Sequence, residues 1–128
     1  MPDVPDFDVR PEVILDVDVR DGLLSVCLKN IGARPALDVT TVFDEPFSGL
    51  GGRKAITSML VFRRVAFMAP GKTFEQYVDP LYEYARRNEP MTIAATVSYR
   101  DRAGTTYKER ISHDLRVYLE LGQARVVY

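Results

Sequence analysis

Cysteine and histidine are nearly missing from this chain, with one of each, Cys27 and His113, in 128 residues. A lone cysteine excludes an intrachain disulfide and makes a reducing compartment the simpler expectation. An excess of charge is missing too. The 17 Lys and Arg stand against 18 Asp and Glu, a net charge of -1. That excludes the strong global field that would point to a polyanion or an acidic membrane surface as partner. No apolar run approaches the roughly 20 residues of a membrane span. The opening, MPDVPDFDVR, has neither a basic n-region nor an apolar h-region, so it does not read as a signal peptide. On these grounds the expected location is the cytoplasm. Were the chain a fragment, the alternative is the soluble part of a larger membrane-anchored protein. Repeats, low-complexity tracts and interdomain linkers are absent as well.

What remains is the material of one globular domain, 46% apolar and 27% charged, at a length sufficient for its own core. The charge is unevenly spread. Residues 1–21 carry seven acids (Asp3, Asp6, Asp8, Glu12, Asp16, Asp18, Asp21) against Arg10 and Arg20, a balance of -5, which leaves 15 bases and 11 acids in the remainder. Such an acidic leading segment either docks on the rest of the chain or keeps an edge strand from pairing with other molecules.

Period-two alternation dominates from residue 13 onward, the mark of strands with one buried face. Val13, Leu15, Val17 and Val19 alternate with Asp16 and Asp18. After the turn at 20–22, Leu24, Val26 and Leu28 alternate with Ser25, Cys27 and Lys29. After the corner NIGARP, Leu37, Val39 and Phe43 share a face. Residues 44–58, with three glycines, read as a long loop holding a short edge strand. The stretch 59–67 is β-prone but switches face near Arg63 and Arg64, which predicts a bulge or bend. A Pro70-Gly71 turn and a strand with Phe74 and Val78 inward follow. DPLYEYARRN, residues 79–88, predicts the one helix, with Asp79 as N-cap and Pro80 at its first position. Met91, Ile93, Ala95, Val97 and Tyr99 then alternate cleanly, and Gly104 turns the chain into a long return strand through Tyr107, Ile111, Leu115, Val117 and Leu119. The sum is an all-β chain: a single antiparallel β-sandwich of about seven strands with one short helix. Residues 1–11 form an extended leader, 12–121 the sandwich, and 122–128 an apolar tail or extra strand.

A Leu-x-Val-x-Leu strand running into KNIGARPALDV, then MAPGK, then VSYRDRAGTTY, resembles the immunoglobulin-like or fibronectin-like sandwich domains found widely in bacteria. The cell-adhesion-related type is among them. In such domains an Asn-x-Gly corner joins two early strands, a Pro-Gly turn precedes a middle strand, and a Tyr-x-Asp-x-x-Gly hairpin joins the last two. The resemblance implies an immunoglobulin-like fold and a role in adhesion, scaffolding or protein recognition without catalysis. The chain departs from the pattern in its 79–88 helix, its 44–58 loop and its lack of an export signal.

Motifs that suggest chemistry meet physical objections. AFMAPGKT ends like a phosphate-binding loop, but Ala66 stands at the first glycine, Pro70 removes an N–H donor, and a strand follows. SGLGGRK pairs glycines with Arg53 and Lys54, a candidate anion nest or simply a connecting loop. His113 falls between Ile111 and Leu115 on the apolar face, as core or interface histidines do. A metal there needs Asp114, which points to the opposite face, or Cys27, which has no ligand spacing with it. Cys27 lies mid-strand, where cysteines are mostly inert. No catalytic residue, cofactor or metal is therefore expected, and the chain is not read as an enzyme.

The residues left for function are those that dominate interfaces, tyrosine and arginine. Tyr82 and Arg86, four apart, share a helical face, and Arg87 lies beside them. Arg34 stands exposed at the corner. Val126, Val127 and Tyr128 are too apolar for a free tail and suit an added strand. The expectation is a non-enzymatic protein–protein interaction or assembly module, acting through β-edge and Tyr/Arg contacts on a protein partner or a second copy. The alternative is a small-molecule or carbohydrate-binding sandwich using the 44–58 loop. Balanced charge without a basic stripe argues against nucleic acid.

Overall fold

The alternating run Val13, Leu15 and Val17 becomes strand β1 (Val13–Arg20), its three apolar side chains essentially inaccessible to solvent. In the computed structural model, which describes residues 9–121, Asp21 and Gly22 both take positive φ, 52° and 77°. That left-handed pair is what a two-residue hairpin needs. It sets Arg20 opposite Leu23 and launches β2 (Leu23–Asn30), where Leu24, Val26 and Leu28 point into the core. Burying each such side chain contributes about 2 kcal/mol.

Beyond the corner lies β3 (Ala36–Phe43), interrupted at Asp38 by a positive φ of 51° and a register shift between Leu37 and Thr40. This bulge turns the Asp38 carboxylate onto the guanidinium groups of Arg64 and Arg100. Two short strands paired with each other, β4 (Ser48–Gly49) and β5 (Lys54–Ala55), lead to a single helical turn, α1 (Leu60–Arg63). The edge strand β6 (Val65–Met68) crosses over to β7 (Thr73–Pro80). A second short helix, α2 (Leu81–Arg86), precedes the hairpin of β8 (Thr92–Arg100) and β9 (Thr106–Asp114), and α3 (Arg116–Glu120) follows.

The strands form two antiparallel layers, β1-β2-β7 and β6-β3-β8-β9. Leu15, Val26 and Leu28 of the first meet Val39, Ile93 and Val97 of the second in one buried cluster. The architecture is an all-β sandwich of seven principal strands. Its division, three and four with β6 beside β3, differs from that of constant-type immunoglobulin domains, where the four-stranded sheet holds the first strand. Where the edges of β1 and β9 approach, His113 Nε2 lies 2.8 Å from the Leu15 carbonyl oxygen.

Four expectations need correction. Residues 59–67 do not form one bent strand. Leu60–Arg63 coil into α1 because Phe62 packs edge-on against Phe43, centroids 4.9 Å apart. Asp79 does not cap a helix. It and Pro80 still pair with Leu24 and Leu23 as the end of β7, so the helix starts at Leu81. The return strand stops at Asp114, whose carboxylate accepts the Arg116 backbone N–H (3.0 Å) and ion-pairs with its guanidinium, turning the chain into α3. The chain thus holds three short helices among its described residues, not one. Finally, Phe74 takes the face of its partner Leu28 but, at the start of the edge strand β7, stays partly exposed and is not buried like Val78.

Candidate functional site

The antiparallel registers place the corner at 31–35, the turn at 101–105 and the segment 10–12 at one end of the sandwich. Asn30 organises that end. Its side-chain Oδ1 accepts the backbone N–H groups of Glu12 (3.2 Å) and Gly32 (3.0 Å), and its Nδ2 donates to the carbonyls of Arg34 (2.9 Å) and Met68 (3.0 Å). Ile31 and Ala33 donate to the carbonyls of Glu12 and Arg10, drawing the segment 10–12 across the corner. A Cβ on Gly32 would sit 2.4 Å from the Arg10 carbonyl oxygen and the Glu12 nitrogen, so only glycine admits this crossing. Asn30 and Gly32 thus serve the corner as hydrogen-bond hub and close approach, and neither takes a positive φ.

The crossing creates a cleft of about 530 Å³. Arg10, Arg34 and Arg102 line it from three separate segments, with Pro11, Pro35 and Tyr107 among its apolar walls. The Arg10 guanidinium lies 5.4 Å over the Tyr107 ring, and its buried Nε has no hydrogen-bond acceptor among the described residues. Arg102 leans over Phe67, 5.9 Å from the ring centroid. The one carboxylate among the described lining residues, Asp101, is already committed. Its Oδ1 accepts the Thr105 N–H and its Oδ2 the Tyr107 hydroxyl, both at 2.9 Å. These bonds outweigh desolvation and hold its carboxyl below the usual carboxylate range. A second, shallower cleft of about 290 Å³ lies across Tyr107, but its arginine, Arg100, is paired with Asp38 at 2.8 Å.

Residues 44–58 and α2 occupy the opposite end, where the predicted anion nest is filled from within. Asp79 Oδ1 accepts the Gly51 N–H (3.0 Å). Arg87 Nη2 lies 2.7 Å from Asp79 Oδ2 and donates to the Ser48 carbonyl at 3.1 Å. Arg87 is thereby a buttress and not an exposed interface residue. Arg53 Nε donates to the Leu50 carbonyl, while Lys54 stands exposed on β5. Tyr82 is 65% exposed, and Arg86 pairs only with Glu83 (3.4 Å) on the solvent side. The loop itself is pinned by Phe47 and Ile56, buried beneath it, with Phe47 edge-on to both Phe43 and Tyr84.

A family model described as a domain of unknown function, DUF8453, matches residues 6–119. The chain belongs to that family. No curated protein and no solved structure matches it. The DUF8453 stretch contains every segment that lines the arginine cleft.

The remaining candidates separate cleanly. Cys27 is buried on β2, facing Glu75 across the β7 pairing. Burial and the negative charge of Glu75 push its thiol up to about 11, the reverse of what a nucleophile needs. Among the described residues the group whose ligand atoms approach metal-binding distances is Asp18, Cys27 and Glu75, within 4.8 Å of one another. Asp18 is already paired with Arg20 at 3.1 Å. No hydrogen bond joins Cys27 to His113. Val126, Val127 and Tyr128 lie outside the described residues. Among those residues no helix is long and apolar enough to cross a membrane.

Arg34 was visible in the sequence as an unexplained exposed tip, but Arg10 and Arg102 were not singled out as its companions. No spacing links the three. Only the segment crossing under Gly32 and the β8–β9 turn bring them together.

Proposed function

We propose that this DUF8453 chain is a non-enzymatic recognition module that holds a protein partner at its arginine-lined end. The observation that carries the reading is the convergence of Arg10, Arg34 and Arg102 on one cleft where the only carboxylate among the described lining residues is engaged by its own turn. Arginine on an apolar floor is the composition of interface hot spots. Loops at the end of a rigid sandwich are where such scaffolds carry binding. The 44–58 loop is the weaker locus, since Asp79 takes the Gly51 N–H, and Arg87 is drawn inward to Asp79 and the Ser48 carbonyl.

The test is capture of partners by the immobilised full chain, followed by lysine cross-linking and mass spectrometry. Lys72 and Lys108 flank the cleft end, and Lys54 marks the other. Partner cross-links should fall on Lys72 and Lys108. A pattern dominated by Lys54 would return recognition to the 44–58 loop.

A further inference from the structure

We propose that the cleft takes an acidic peptide segment, whose carboxylates pair with Arg34 and Arg102 while its apolar side chains lie against Pro11, Pro35 and Tyr107. The inference rests on the recognition reading above and supplies the chemistry of the partner.

Charge complementarity comes first. Among the described residues three arginines and one carboxylate line the cleft. Both oxygens of that carboxylate, Asp101, are held by Thr105 and Tyr107. The cations therefore keep unused donors, and a guanidinium fork matches a carboxylate with two parallel hydrogen bonds. Arg10 adds a buried Nε–H without an acceptor among the described residues. A buried unpaired donor is costly to leave, and an acceptor entering from the cleft relieves it.

Shape and lining select the peptide over a bare anion. Phosphate sites present backbone N–H groups, but here the turn's own amides are taken. Gly104 N–H donates to the Asp101 carbonyl and Thr105 N–H to the Asp101 carboxylate. The proline and tyrosine walls give an inorganic anion nothing to touch, whereas an interleaved acidic and apolar chain uses both halves of the lining. A volume of about 530 Å³ is within the ordinary range of ligand clefts. The chain supplies a sequence of this composition in its own leader, where Asp3, Asp6 and Asp8 interleave with Val4 and Phe7 just ahead of Val9, itself part of the cleft lining.

That leader dictates the experiment. A fluorescein-labelled peptide, Val-Asp-Phe-Asp-Val-Asp, is titrated by anisotropy against two full-length chains, the wild type and one carrying Asp3→Asn, Asp6→Asn and Asp8→Asn. The second removes competition from a tethered acidic segment, whose effective concentration is high. Binding to at least one chain should weaken with added salt. It should fall about tenfold or more when both Arg34 and Arg102 are changed to Glu, or when the peptide carries Asn for Asp. Failure to bind either chain, or equal binding of the Asp and Asn peptides, overturns the inference. Inorganic phosphate displacing the probe as well as unlabelled peptide does overturns it in favour of a simple anion site. If the peptide fails while the immobilised chain still captures a protein, this inference falls and the recognition reading stands.

Discussion

At the 44–58 end of the sandwich, Arg87 is enclosed by Asp79, Glu89 and the Ser48 carbonyl, and only 23% of its side chain is exposed. At the 31–35 end, Arg34 and Arg102 stand open on a cleft where the single carboxylate among the described lining residues is turned to its own loop. Both ends draw on the same materials, glycine-rich turns and arginines. What separates them is where the nearest acid lies. Asp79 comes from the buried end of β7 and draws both the loop and the helix onto itself, whereas Asp101 is consumed by the turn it begins. A charge that is satisfied internally stabilises the fold, and a charge that is not remains available to another molecule.

The comparison can be broken most severely at Asn30, which holds the open end together without any arginine. Asn30→Asp replaces two donated hydrogen bonds with a buried carboxylate facing the carbonyls of Arg34 and Met68. We expect a loss of about 4 kcal/mol in urea denaturation. A loss under about 1 kcal/mol would mean that the corner tolerates repacking. Next comes the closed end. Arg87→Ala strips the partner from buried Asp79 and should cost about 3 kcal/mol.

A third test reads pH at the rim of that same closed end. Arg116 and its backbone N–H hold the Asp114 carboxyl near 2 against an ordinary value of 3.8. A depressed folded value means that this contribution is present above pH 3.8 and lost as pH falls toward 2. Asp114→Asn should therefore lower the melting temperature at neutral pH and flatten that part of the acid limb, with the two chains converging as pH falls toward 2. The smallest effect sharpens the contrast most. Arg34→Ala should shift stability by no more than about 0.5 kcal/mol, measured alongside Arg87→Ala. A cost approaching that of Arg87 would show that the open end is structural after all.

The layers of the sandwich were legible because alternation at Leu24, Val26 and Leu28 and at Ile93, Ala95 and Val97 is local and survives tertiary packing. The Asp21-Gly22 turn was legible for the same reason. Of the three helices only α2 was legible, inside the predicted 79–88, while α1 and α3 span just four and five residues and carry no local pattern of their own. Phe62 coils α1 by meeting Phe43, and pairing with β2 carries β7 through Pro80 before α2 can start. The cleft was half legible. Arg34 stood out as an exposed corner residue, but its companions are joined by a glycine that matters for what it lacks, and no local pattern records a missing Cβ.

The contact between His113 and the Leu15 carbonyl joins residues 98 apart in sequence. It ties the first strand to the last, so the seam between the two sheets can close only when nearly the whole sandwich is present. During synthesis this contact must wait for β9 to emerge, while the outer edge of β1, which no strand of either layer pairs, stays open. Ordering so long a loop is paid in entropy before the contact returns anything, and chains dominated by such non-local pairings fold slowly. The acids that β1 carries, Asp16 and Asp18, guard that interval against pairing with the wrong chain.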